Sequence, residues 1–309
     1  MTQRASSRAR LGAVRCSRLV GLALAAVLAI GLTGCDTGAG NAAVINGASI
    51  ADATIRQDSA VQVGSDSGTA VGSPQVSGLN RTDLTYRIRH ALIVQAVAAA
   101  HLQISPDQLA AAQAQVKSQS ADAGLPGQLG LPASAEPDVI YDIVALNELV
   151  KALPANGVPV GNVSVNAVGV SAASREEAVA LRSRYLAYPA DLDADVAKAG
   201  DQLPVQKATY SLLKTPDAGP VGLYRAAAGQ LLIFPTAKGY LVLKATGRSV
   251  SATPLTQAIF GSATTLSQFF DLGALLVATK VPAENVSVNP RYGVWDPASV
   301  QVVPGNDGL

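Results

Sequence analysis

Residues 162–170, Asn-Val-Ser-Val-Asn-Ala-Val-Gly-Val, are where the chain changes period. Apolar residues alternate there at every second position, the pattern of a strand with one covered face, whereas the preceding segments repeat every three or four. Upstream, Leu84, Ile88 and Leu92 stand four apart, and beyond His90 almost every position is apolar out to Leu102. A helix apolar nearly all round is buried between others. Asn80 is expected to cap it, with the Gly/Ser-rich stretch 64–79 as a loop. Ser105-Pro106-Asp107-Gln108 combines a capping serine, a first-turn proline and a returning glutamine, so a second helix starts there with Leu109, Ala112 and Val116 inward. After a Gly/Pro-rich loop over 124–137, a third helix is expected from Asp138 to Leu153, with Val139, Ile143, Leu146, Val150 and Leu153 as its stripe.

Downstream of the switch, Ser174-Arg175-Glu176-Glu177 is a capping box opening a helix to about Tyr188. A short helix from Asp191 to Ala199 follows, then a strand at Tyr210–Leu213 and a closing hairpin of Gln230–Pro235 with Gly239–Ala245. Helix is expected again from Pro254 to Lys280, and Val286-Ser287-Val288 is the last extended piece. Before all of this, Val44-Ile45 and Ser49-Ile50 flank the turn pair Asn46-Gly47. Helices at both ends around a strand-rich centre make the fold class α+β: a helical domain built from N- and C-terminal segments with a small α+β domain inserted.

The 309 residues are 49% hydrophobic and 15% charged, which excludes a disordered polymer and leaves room for a sizeable core. The first 34 residues carry five arginines (Arg4, Arg8, Arg10, Arg15, Arg18) and no acid, so the remainder has 18 basic against 22 acidic side chains. That mildly acidic balance, without a Lys/Arg run, argues against nucleic acid as a partner. Cys16 and Cys35 are the only cysteines, so no disulfide framework holds the fold.

From Leu19 to Gly34 sixteen residues carry no charge, spanning about 24 Å as helix, short of the ~30 Å hydrocarbon core. With arginines before and Cys35 after, this is a signal peptide over residues 1–34 rather than a permanent membrane span. Leu32-Thr33-Gly34-Cys35 resembles a bacterial lipobox, which implies cleavage before Cys35 and lipidation of its thiol. Acyl chains bury methylenes at about 0.8 kcal/mol each, enough with two or three chains to hold the protein at the outer face of the cell membrane. The small, polar residues that follow suit a tether over 35–43.

Taken together, these blocks resemble a lipoprotein with a SurA-type N-terminal chaperone domain, related to the parvulin foldases of bacterial envelopes. AAVINGASI (42–50) is similar to that domain's opening strand and turn, and RHALIVQAVAAAHLQISPDQLAAAQ (89–113) to its long apolar helix, break and second helix. ENVSVNPRYGVWDP (284–297) resembles the C-terminal signature of actinobacterial members. The resemblance implies a chaperone domain formed by residues 44–158 and completed by 249–303, with a parvulin-like insert at 160–248. AAAGQLLIFPTAKGYLVLKATGR (226–248) resembles the ending of a parvulin prolyl isomerase. Where that family carries two histidines, however, this chain has Asn166 in the first strand and Leu241 after Gly239-Tyr240, and no histidine follows residue 101. The resemblance therefore implies an isomerase scaffold that has lost its catalytic histidines; no catalytic residue is assigned.

Other residues invite chemistry less well. His90 and His101 lie about 16 Å apart on one expected helix and cannot share a metal. Asp191, Asp193 and Asp195 mimic the start of a calcium loop, but Val196 stands where glycine is needed and Gln202 where a bidentate glutamate belongs. No metal or other cofactor is implied, and no nucleotide-binding or hydrolase motif is present. Tyr292, Trp295 and Tyr240 are candidate binding aromatics, although Tyr292 and Trp295 beside Pro290 and Pro297 more readily seal a core edge. The expected function is a membrane-tethered holdase for unfolded or newly exported polypeptides. The alternatives are an adaptor or assembly lipoprotein of the envelope, or a weak prolyl isomerase.

Overall fold

The computed structural model describes residues 40–64, 73–119, 124–199, 207–236, 238–283 and 285–305, which fall in one compact unit of residues 37–309. The unit formed by residues 1–36 lies outside the described residues, and with it the signal peptide, the lipobox and Cys35.

Strands β1 (Asn41–Ile45) and β2 (Ala48–Ala51) form a hairpin. Asn46 and Gly47 both adopt positive φ, 47° and 88°, as the two-residue turn of a right-twisted hairpin requires. β1 takes in the last three residues of the expected tether. Ala42 and Ala43 are fully buried and join the core. Then come α1 (Asp52–Val63), α2 (Pro74–Ala99), α3 (Pro106–Gln119), α4 (Gly124–Gln128) and α5 (Glu136–Lys151). α2 begins at Pro74 rather than Asn80: Ser73 accepts from the Val76 amide at 3.2 Å with proline in the first turn. This is the same Ser-Pro start that opens α3, hidden in a Gly/Ser-rich stretch. Short helical pieces, α4 and a 3-10 turn at Ala133–Ala135, occupy most of the expected 124–137 loop.

The middle of the chain forms β3 (Val158–Ala172), α6 (Arg175–Ala187), α7 (Pro189–Ala199), β4 (Ala208–Ser211), β5 (Leu231–Thr236) and β6 (Gly239–Leu255). These strands make one antiparallel sheet in the order β4-β3-β6-β5. The capping box at Ser174 forms: Ser174 Oγ accepts from the Glu177 amide at 3.1 Å, and Glu177 reaches back to the Ala173 amide at 2.8 Å. A bulge at Thr246 shifts the β3–β6 register, Asn166 pairing with Gly247 but Ala167 with Ala245. β3 is buried mainly on one face up to Val165 and on both from Ala167 to Val170, where α6 and α7 cover the second face.

The expected helix over 254–280 is instead the end of β6 followed by α8 (Gln257–Gly261) and α9 (Leu266–Ala278). Thr256 and Thr265 cap these helices from the Ile259 and Gln268 amides, two stop–start signals that a count of apolar residues passes over. β7 (Val286–Val288), β8 (Val294–Asp296) and β9 (Gln301–Val303) end the chain.

The two ends meet: β7 pairs with β1, Ala43 opposite Val288 and Ile45 opposite Val286. α9 lies on α5 so closely that a Cβ on Gly273 would sit 2.6 Å from Leu146 Cδ1. Aromatic rings run through this core, Phe260 to Phe269 at 5.9 Å, Phe269 to Phe270 at 6.1 Å and Phe270 to Tyr86 at 6.2 Å, edge to face. Val160, Val163, Val165 and Leu255 join the same core, and positions 160 and 248 lie within β3 and β6. The architecture is α+β.

Candidate functional site

Two cavities, of about 420 and 610 Å³, share Arg81 and Pro220 in their walls and adjoin there as two parts of a cleft. α2 supplies one wall, through Arg81, Thr82, Thr85 and Tyr86. Opposite stand α9, with Phe270, and the C-terminal strand β9, with Gln301 and Val302. At its other end the cleft opens along β5 and the N-terminal half of α6, where Arg175, Arg182 and Arg225 face it with Leu231, Ile233 and Tyr240. The helical segments and the sheet module thus share one concavity, apolar at one end and cationic at the other.

Its floor is rigid for an electrostatic reason. Arg89, buried on α2, contacts Asp271 of α9 at 2.7 Å and donates to the carbonyls of Val300 at 2.8 Å and Ser299 at 3.3 Å. Gln301 donates to the same Asp271 oxygen at 3.3 Å. A buried carboxylate and guanidinium that satisfy each other in this way fix the relative placement of α2, α9 and the C-terminal turn.

Beside the cleft lies a second titratable group. His90 Nδ1 stands 2.8 Å from Asp142 Oδ1 of α5, and the His90 ring packs against Tyr86 and Tyr141. Burial opposes charge on His90, but the hydrogen bond to Asp142 and its charge outweigh that and raise the imidazole pKa above its ordinary value. Burial raises Asp142 as well, against the His90 contact. Tyr86 is raised by burial and then by the neighbouring Asp142. His101 is not on the helix: α2 ends at Ala99, and His101 is exposed with φ 54°.

The positions singled out in the sequence fall in different places. Asn166 and Leu241 do not come together. Asn166 is exposed and accepts from Thr209 Oγ1 at 2.7 Å, while Leu241 is buried with Ala167 and Leu243 against Tyr210 and Phe234. Strand alternation explains this: Leu241 stands opposite Ser171, and the β3 residues on that face are Ser171, Gly169 and Ala167, so Asn166 points to the other side. Tyr292 is buried and donates to Asp52 Oδ1 at 2.5 Å; Trp295, half-buried, donates its indole N–H to the Ala283 carbonyl at 2.6 Å. Of the three aromatics only Tyr240 lines the cleft. Two of the three aspartates of α7 are engaged by α6: Arg184 pairs with Asp191 and Asp195, and Tyr185 donates to Asp195 at 2.8 Å, while Asp193 is exposed. Among the described residues no group of three or more His, Cys, Asp or Glu is placed to hold a metal, and no helix is long and apolar enough to cross a membrane.

The arginines of the cleft escape sequence reading because Arg81, Arg175, Arg182 and Arg225 are scattered over some 140 positions and make no linear run. No protein-family model matches the chain, and no curated protein matches it. Among solved structures it is similar to a peptidylprolyl isomerase (PrsA) from Bacillus anthracis, at 16% identity over 67% of this chain and 99% of that one, with a TM-score of 0.23.

Proposed function

We propose that this chain is a membrane-tethered, extracytoplasmic chaperone that holds extended segments of newly exported polypeptides in the cleft between α2, β9 and β5. The observation that carries the reading is the cleft itself, roomy enough for several side chains, open along its length and apolar at one end. At its apolar end the cleft would select segments by composition rather than sequence, as a holdase requires.

Catalysis of prolyl isomerisation is not part of the proposal. The sheet face around Leu241 is lined by Ala167, Leu243, Tyr210 and Phe234, and no histidine follows residue 101. A group titrating near neutral pH is what acid–base assistance would need there. Uncatalysed X-Pro bonds isomerise over tens of seconds, so a proline-peptide assay resolves weak catalysis, and the rate is expected to stay at background.

The deciding measurement is aggregation of an unrelated denatured protein in the presence of stoichiometric amounts of residues 36–309. Suppression is the expected result. Failure to suppress, together with one specific partner recovered from envelope extracts, would make the chain an adaptor. Tethering through Cys35 is checked separately: Cys35→Ser is expected to leave the membrane fraction or persist as unprocessed precursor.

A further inference from the structure

We propose that the cationic half of the cleft takes an extended, carboxylate-bearing polypeptide segment as an added strand along the open edge of β5. The inference rests on the peptide-binding reading of the cleft and names the class of segment it selects.

Charge complementarity identifies the occupant. Arg81, Arg175, Arg182 and Arg225 line this cavity, and among the described residues no aspartate or glutamate does. None of the four forms an ion pair among the described residues, while Arg56, Arg87, Arg89, Arg184 and Arg291 all do. Arg81 is half-buried on α2, and the desolvation lowers its pKa from the ordinary arginine value. A desolvated, uncompensated guanidinium is costly unless an anion meets it.

The backbone beside these arginines specifies the ligand's form. β5 is the edge strand of its sheet. Gln230 directs its carbonyl inward, to the Ala245 amide at 2.9 Å, and the Leu231 carbonyl points outward, where Arg182 Nε donates to it at 3.2 Å. By strand alternation Ile233 also presents its N–H and C=O outward. Pro235, which has no N–H, ends the usable edge. A lipid headgroup or free phosphate would use the charges and leave this edge unpaired. A peptide strand uses both, because every second side chain would face the arginines while its backbone pairs with β5.

The test uses the whole chain without its signal peptide and three fluorescent peptides of about twelve residues, alternating Val or Leu with Glu, Lys or Ser. The Glu peptide is expected to bind at least about tenfold more tightly than the others, to weaken with added salt, and to weaken about tenfold in Arg175→Gln/Arg225→Gln. These two arginines lie at the accessible end of the cleft, and the doubly substituted protein should keep its unfolding midpoint. Amide exchange at Leu231 and Ile233 should slow when the Glu peptide is bound. Equal binding of all three peptides, with aggregation still suppressed, overturns the acidic preference and leaves the chaperone reading standing. No binding of any peptide, with no suppression, overturns both. If pyrophosphate or phosphatidylglycerol vesicles bind at the arginines while the peptide leaves the Leu231 and Ile233 amides unprotected, the site is one for anionic headgroups and the strand proposal is wrong.

Discussion

Tyr292 donates its phenolic hydrogen to Asp52 across 2.5 Å, joining two residues 240 positions apart. Asp52 sits in the first turn of α1, where Arg56 at 2.8 Å and Arg291 at 2.9 Å also reach it. The Asn-Pro-Arg-Tyr-Gly stretch therefore works as a clasp on the N-terminal hairpin and helix rather than as a ligand-binding aromatic. Tyr292→Phe keeps the ring and removes one donor to a buried carboxylate, so unfolding in denaturant should show a loss of about 1–3 kcal/mol. An unchanged midpoint would mean that the two arginines alone satisfy Asp52.

The Arg89–Asp271 pair should behave non-additively. Arg89→Met alone leaves a buried carboxylate without its cation and should cost about 3–5 kcal/mol, whereas adding Asp271→Leu should recover much of that loss. Denaturant midpoints of the two single variants and the double variant decide it. A double variant as unstable as the sum of the singles would show that the pair contributes through packing alone.

Stability should fall as pH rises. Burial pushes the Asp83 carboxyl up to about 6 against the opposing charge of Arg87, so the native state binds a proton that the unfolded chain has released, and stability declines from about pH 4 to 6. His90 acts in the same direction at higher pH. Its raised value means that its contribution is complete below the ordinary histidine value and is lost as pH climbs through the folded one. Asp142 on α5, with Asp138 nearby, and Arg87 on its own helix are the charged groups that bear on it. His90→Gln should flatten the profile above neutrality and leave the limb below it. A wild-type profile that rises from pH 5 to 8 would contradict both assignments.

Helix α9 tolerates nothing larger than glycine at its contact with α5. Gly273→Val would drive a branched side chain into Leu146, which is fully buried and cannot swing away, at a cost of about 1–3 kcal/mol or more. Pairing the change with Leu146→Ala should restore part of the stability, read from thermal unfolding. No rescue would place the strain in the backbone instead.

How much of this could be read in advance depends on how local each cause is. The Asn46-Gly47 hairpin, the Ser105 and Ser174 helix starts and the strand period at 162–170 are written in neighbouring residues, and the elements follow. The start at Ser73-Pro74 uses the same signal but is embedded in small polar residues, and the division of 254–280 depends on two threonine caps. The site was hardest to see. Arg81, Arg182 and Arg225 meet only because β5 closes the sheet beside α2, and the register that sets Leu241 opposite Ser171 puts Ala167, not Asn166, on its face. Pairing register across a sheet leaves almost no trace in the periodicity of one strand, yet a shift of one residue changes which side chain faces the partner.

The pairing of β1 with β7 also sets a timetable. Strand β1 leaves the ribosome more than two hundred residues before its neighbour at Val286–Val288 exists, so one edge of the first hairpin stays open for most of synthesis. The nascent protein is itself a chain with an unpaired edge and exposed apolar helices, in need of the protection it is proposed to give others. A deletion that removes only β7 should reproduce that incomplete state permanently, with a soluble but association-prone product whose first strand seeks a partner in another copy.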